Sequence, residues 1–284
     1  MKFAVLLCLS IAAYGINIAY SQSWEFGVQG GASGYMGDLN PENPFKVNDW
    51  AVGVLGRYNI NGNYSLRLNA WRANIWGSSS HFVEGTEERN KNLAFQSALY
   101  EMSLVGELNF FRFIPCLDKI YYTPYIFAGA GLTHFNPKRN VDGRLVTLYD
   151  KPTEVYDHPY ASSTEKYKRL TWSIPVGVGF KYNFMGPWTV GVELGYRFAM
   201  SDHLDDVSGM YPDFVNAASV YSPESLGMVA YDAQLARLLA DPSEQAHVAG
   251  TMRGDSRERD AYMIFNFTVT YAIFKKGCPL FYKR

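Results

Sequence analysis

Long stretches of this chain alternate apolar and polar residues with a period of two. From 188 to 200 one face reads Trp188, Val190, Val192, Leu194, Tyr196, Phe198 and Met200, and the other Thr189, Gly191, Glu193, Gly195, Arg197 and Ala199. From 170 to 184 the apolar face is Leu170, Trp172, Ile174, Val176, Val178, Phe180, Tyr182 and Phe184, set against Thr171, Ser173, Gly177, Gly179, Lys181 and Asn183. Successive side chains of a strand point to opposite faces, so this alternation predicts β-strands. The runs exceed the length of about five or six residues usual in soluble proteins. An apolar face about ten residues long, backed by small and polar residues, is what a strand needs with lipid on one side.

Eight such segments occur, at about 24–36, 50–60, 64–76, 94–111, 121–135, 167–184, 188–201 and 260–274. Their connections alternate between short turns (61–63, 112–120, 185–187) and long loops (37–49, 77–93, 136–166, 202–259). An even number of strands joined in this way predicts an all-β protein. The expected fold is an eight-stranded antiparallel up-and-down transmembrane β-barrel over 22–284, with long extracellular loops and short periplasmic turns. That topology places the chain in the outer membrane of a diderm bacterium, with both termini periplasmic and 275–284 as a periplasmic tail. A lipocalin-like soluble barrel also has eight strands, but turns its apolar face inward. It gives no reason for the aromatic residues near strand ends here: Trp24, Trp50, Tyr58, Tyr64, Trp76, Phe110, Tyr122, Phe184, Trp188 and Phe198. Such rows form girdles at membrane interfaces.

The start of the chain reads as an export signal over 1–21. Lys2 is its basic residue, Phe3 to Ala13 its apolar stretch, and Ala19-Tyr20-Ser21 a small-residue cleavage site before Gln22. No later apolar run reaches the 18 residues or so of a membrane helix. The longest loop carries a helix signal near 223–240. Ser222 is placed to cap it, Pro223 to occupy its first position, and Leu226, Val229, Ala233, Ala236 and Leu239 recur at helical spacing before Asp241-Pro242. This helix is expected to pack over the barrel mouth.

Charge matters in two ways. The formal net charge of -1 argues against a nucleic-acid partner. The face turned from lipid carries Glu25, Arg57, Arg67, Glu101, Glu107, Lys181, Glu193 and Arg197. Acids and bases balance in an interior just wide enough for side chains, so they are expected to form a hydrogen-bonded plug and a closed polar lumen.

Candidate chemistry is sparse. His81, His134, His158, His203 and His247 all fall in or beside long loops and lack metal-ligand spacing. His203 beside Asp202, Asp205 and Asp206 imitates a rim hydrolase or acyltransferase, but reads more simply as a capped turn. The same three carboxylates suit Ca²⁺ in kind but lack a full loop signature. Arg253-Gly254-Asp255 is a receptor-binding tripeptide elsewhere and here reads as a turn. Catalytic residues, cofactor, metal and small-molecule substrate are all expected to be absent, and lipid to be one partner.

Several stretches stand out: Tyr35-x-Gly37-Asp38-Leu39-Asn40, Glu101 with Glu107-x-Asn109-Phe110, and Ser201-Asp202-His203-Leu204-Asp205-Asp206-Val207-Ser208-Gly209-x-Tyr211. Arg253-Gly254, Asp260-x-Tyr262 and Cys278-Pro279 complete the set. Together they resemble the PorG family, the small outer-membrane barrel of the type IX secretion system. The third departs from the family pattern at His203, where tyrosine is expected. Asp202, Asp205, Asp206, Ser208 and Tyr211 form the family-motif loop. The resemblance implies a non-enzymatic role: a membrane anchor for a periplasmic ring, built from a lipoprotein and its partner, during protein secretion. A small stabilising or adhesive barrel is the alternative.

Cys116 and Cys278 remain in the mature chain, and the topology puts both in the oxidising periplasm. Three states stay open: an internal disulfide across the barrel base, a bridge to a partner, or free thiols.

Overall fold

The computed structural model describes residues 23–41, 43, 45–47, 49–116, 120–154, 167–215, 230–254 and 259–274. The export signal, the Ser222–Pro223 helix start and Cys278 lie outside these.

Eight long strands close into a barrel. They are β1 (Ser23–Met36), β2 (Asp49–Asn59), β3 (Tyr64–Ser78), β4 (Ala94–Asn109), β5 (Tyr122–His134), β8 (Leu170–Met185), β9 (Trp188–Ala199) and β10 (Ala261–Ile273). The order β3-β2-β1-β10-β9-β8-β5-β4 closes through β3 and β4, with every pair antiparallel. Alternation sets the register. Leu66, Leu68 and Ala70 face outward on β3, while Ser65, Arg67, Asn69 and Trp71 are buried inside. A slip of one residue would exchange the two sets, placing Arg67 in lipid.

The outer surface is a belt of exposed Val, Leu, Ile and Phe with aromatic borders. At the short-turn end Trp24 meets Tyr58 at 4.9 Å and Trp188 meets Tyr271 at 5.0 Å between ring centroids. At the long-loop end Arg72 lies over the rings of Trp50 and Tyr100, the position of a cation that reaches out of the lipid. Trp76 lies higher on the same face of β3. It is covered by Lys46 and His81 from the loops above.

The 136–166 connection is not a plain loop. It carries a hairpin, β6 (Pro137–Val141) and β7 (Arg144–Thr147), paired to the upper edge of β4 at Gln96 and Ser97. Its turn is Asp142-Gly143, with φ of 49° and 81°. A two-residue hairpin turn of this twist needs positive φ at both positions, which Asp-Gly supplies. The 77–93 loop adds one short helical turn, α1 (Glu87–Asn90), capped by Thr86. The helix of the longest loop is described as α2 (Ala230–Ala240), ending at Asp241-Pro242 as its signals predict.

The upper barrel departs from the expected polar lumen. Tyr35, Trp71, Ile75, Phe95, Leu99 and Ile264 project inward and pack with Leu39, Phe135, Leu148, Leu204, Val207 and Leu239 from the long-loop side. Here the strands have left the bilayer and are covered on both faces, so the alternation fades: Ala261, Tyr262, Met263 and Ile264 are all buried. The lumen is thus polar in its lower part and apolar at its mouth.

The belt predicts the response to charge. Leu68→Arg, mid-strand on the lipid face, should destabilise folding into bilayers by about 2–4 kcal/mol, whereas Arg72 is tolerated at the border. Reversible unfolding from phospholipid vesicles measures the difference. An unchanged stability would remove lipid from that face.

Candidate functional site

The eight charges expected in the lumen are all buried there. Six of them, Glu25, Arg57, Arg67, Glu107, Lys181 and Glu193, form one connected network with Glu107 as its hub. Arg57 Nε and Arg67 Nε each lie 3.0 Å from a Glu107 oxygen, and Lys181 pairs with the same carboxylate. Arg57 continues to Glu25 at 2.7 Å, and Arg67 to Glu193 at 2.6 Å. Neutral donors add to the carboxylates of Glu25 and Glu193. Asn59 and Thr270 donate to Glu25 at 2.6 and 3.0 Å, and Tyr125 donates to Glu193 at 2.7 Å. Arg197 and Glu101 form a second, higher pair at 3.4 Å, where Tyr262 donates to Glu101 at 2.6 Å. Rings complete the packing: Lys181 lies 4.2 Å from the centre of Tyr125, and Arg67 5.2 Å from Phe127. The tyrosine and amide donors were not singled out from sequence. Their inward position in the strand alternation was the available signal.

The lower mouth is covered from the short-turn side. Phe113 donates its backbone N–H to Gly62 at 2.9 Å, and Phe113, Ile114 and Cys116 are buried. Cys116 is disulfide-bonded. The nine-residue 112–120 connection therefore acts in part as a floor.

Four of the motif stretches, at 35–40, 201–211, 253–254 and 260–262, converge above the apolar core. Tyr35 donates to Asp205 at 2.5 Å and to Asp260 at 3.1 Å, which joins the start, middle and end of the chain. Leu204 N–H donates to Asp260, and Val207 N–H to Asp205, both at 2.9 Å. A Cβ at Gly37 would lie 2.0 Å from Asp260 and 2.1 Å from the Tyr35 hydroxyl, so only glycine lets the chain pass. Asp206 accepts from Thr153 at 2.6 Å and Tyr167 at 2.9 Å. Arg253 is fully buried. It pairs with Glu154 at 2.6 Å and donates to the carbonyls of Asp206, Ala240 and Leu239. Its guanidinium ties three loop segments together and is not displayed as a receptor-binding tripeptide would require. Glu154 in turn accepts from Ser208 N–H at 2.8 Å. Gly254 passes against the Ser208 backbone too closely for a side chain. Tyr211 is buried, with its ring stacked on His247.

Neither alternative arrangement of this loop is seen among the described residues. Asp202, Asp205 and Asp206 do not gather as one ligand set, because Asp205 and Asp206 are drawn to different hydroxyl donors. Among the described residues the acidic trio that does gather is Asp38, Asp202 and Asp260, with one oxygen from each within 4.8 Å of the others. Carboxylate oxygens suit a hard cation such as Ca²⁺, though three are fewer than the six to eight or so it takes. His203 forms no rim dyad with Asp205 or Asp206 either: its ring packs on Tyr167 at 4.7 Å, while both carboxylates are engaged elsewhere.

Burial pushes these loop acids toward their neutral forms. Asp205 rises well above the usual carboxylate range through burial and then repulsion from Asp260. Burial and then Asp38 raise Asp260. Asp206 is pushed up to about 7 by burial and then Glu154, despite the nearby Arg253.

Two outcomes follow. Glu107→Leu leaves Arg57, Arg67 and Lys181 without their shared acid, and should cost about 3–5 kcal/mol. Denaturant unfolding in detergent measures this, and a loss below 1 kcal/mol or so would refute the hub. The second concerns pH. A folded carboxyl with raised pKa holds a proton that the unfolded chain releases. Its contribution is therefore full below about pH 4 and lost as pH rises through about 7. Amides of 203–211 should exchange more slowly at pH 5 than at pH 8, after correction for intrinsic rates. Asp206→Asn should flatten that difference.

No curated protein matches the sequence. Among solved structures it is similar to Neisserial surface protein A, at 8% identity and TM-score 0.41 over 87% of this chain and 96% of that one. A major outer membrane protein from Thermus thermophilus gives 10% identity and TM-score 0.40, over 88% and 99%. The N-terminal β-barrel domain of Pseudomonas aeruginosa OprF gives 10% and 0.37, over 88% and 97%. The apolar belt, aromatic borders and antiparallel closure make this an eight-stranded barrel of the outer-membrane type. A family model described as a domain of unknown function, DUF6089, matches residues 2–219, and the chain belongs to that family.

Proposed function

We propose that this protein is a non-enzymatic outer-membrane anchor in a protein-secretion machine of type IX. In this reading it holds a periplasmic ring, made of a lipoprotein and its partner, to the membrane. The observation that carries the anchoring role is the filled lumen. Glu107 and its three cations occupy the barrel interior, the apolar core fills the mouth above, and Phe113 and Ile114 lie below. Such a barrel resists opening, because any conducting path must strand buried charges at several kcal/mol or so each. What it offers a cell is a rigid object fixed in the membrane. The secretion assignment is supported by the PorG resemblance of the motif stretches. Of these, the stretches at 35–40, 201–211 and 260–262 meet in one structural unit joined by Tyr35, Asp205 and Asp260.

The topology of this reading puts the long loops outside and both termini in the periplasm. On whole cells Arg144→Cys, in the exposed β6–β7 hairpin, should react with an impermeant maleimide, and Asn61→Cys, in a short turn, should not. The reverse result inverts the barrel. Purified protein in planar bilayers should give no stable conductance. Deletion of the gene should abolish export of many cargo proteins, and the barrel should co-purify with a periplasmic lipoprotein complex from solubilised envelope. Normal secretion in the deletion strain, with defects only in adhesion or envelope integrity, would replace the secretion role by the stabilising or adhesive one.

A further inference from the structure

On the long-loop face a cleft of about 920 Å³ lies between the α1 segment and the 243–251 segment. Its walls are tied together at the base. Lys91 Nζ donates to the Arg253 carbonyl at 3.0 Å, and Asn92 Nδ2 to the Pro242 carbonyl at 3.2 Å. The cleft is thus a built part of the cap rather than a gap between independent loops. Glu87, Arg89 and Asn90 line one side; Glu244, Gln245 and His247 line the other.

His247 gives the site its direction. One face of its ring lies on Tyr211, with centroids 4.4 Å apart and planes inclined by 2°. Its Nδ1 edge is held by Asp241 at 3.0 Å and Ser243 at 3.2 Å. His247 thus lines the cleft with the part of an immobilised ring that these contacts leave uncovered.

We propose that this cleft binds a neutral saccharide. The lining mixes carboxylate acceptors, an arginine donor and amides that serve as both, the complement of a ligand with many hydroxyls. The fixed ring presents a flat surface to the apolar C–H face of a sugar. Other ligand classes fit less well. An apolar molecule finds only Ala246 and Val248 as apolar side chains, whereas sites for such ligands are mostly hydrophobic. A polyanion meets Glu87 and Glu244 with only Arg89 to offset them. A metal ion lacks convergent ligands, because among the described residues the Asp38 trio alone has that spacing. The inference stands on the cleft by itself and does not depend on a secretion role.

The test uses purified full-length protein in phospholipid nanodiscs and saturation-transfer NMR. The probes are oligosaccharides of glucose, mannose and N-acetylglucosamine, and the core oligosaccharide released from the source bacterium's own lipopolysaccharide and freed of its acidic sugars and phosphates. A heparin-type sulfated chain and a tripeptide mixture serve as contrasts. At least one neutral saccharide should bind. His247→Ala and Arg89→Ala should each weaken it by about tenfold, the loss of one good contact, and His247→Phe, which keeps the flat face, by less than about tenfold. Preference for the core oligosaccharide would identify the cell's own surface as the source, and preference for a free oligomer an external glycan. Heat-modifiable gel migration checks that each variant is folded. No neutral saccharide binding, binding of only the sulfated chain or the peptides, or binding unchanged in both alanine variants would overturn the proposal.

Discussion

The buried carboxylate of Glu107, shared by Arg57, Arg67 and Lys181, is the constraint on which the rest of the barrel depends. Four charged groups have left water, and their attraction offsets that loss only while all stay in place. The side chains come from β2, β3, β4 and β8, so the network fixes the relative height of strands on several sides of the wall. Hydrogen bonding between neighbouring strands has little say in which register is chosen, since a shifted ladder has similar bonds. Lipid outside and paired charge inside supply the choice, because a shifted strand puts a cation in hydrocarbon and an apolar chain against a carboxylate.

Above the bilayer a different physics takes over. The mouth is closed by an ordinary hydrophobic core, with Trp71, Ile75, Phe95 and Ile264 from the wall and Leu204, Val207 and Leu239 from the loops. Polar groups trapped over this core have few alternatives to one another. Arg253 satisfies helix-end carbonyls and Glu154 together, and Tyr35 serves two aspartates that repel. Burial raises Asp205, Asp206 and Asp260 toward their neutral forms, which ties this cap to pH.

Strand number, the inward charges and the membrane-facing surface were legible because each is written in a local period-two pattern. The helix at Ala230–Ala240 was legible at its end, through Asp241-Pro242. The apolar mouth was not, because apolar residues on both faces of a strand read the same whether covered by lipid or by loops. The β6–β7 hairpin had a signal, Asp142-Gly143, submerged in a polar loop. Arg253 with Glu154, and Asp205 with Asp260, had none: their partners are far away in the chain, and only the folded loops bring them together. Glycine was similarly ambiguous, and Gly37 acquires its meaning only beside Tyr35 and Asp260.

The β6–β7 hairpin extends the wall on the β4 side, and β3 and β4 stay paired up to Ser78 and Ala94. The barrel therefore carries a taller parapet over one part of its circumference. A plain cylinder in a fluid membrane has no preferred compass bearing and spins freely about the membrane normal. A cylinder with a one-sided parapet has a front and a back, so a neighbour that grips the tall side fixes its azimuth as well as its position.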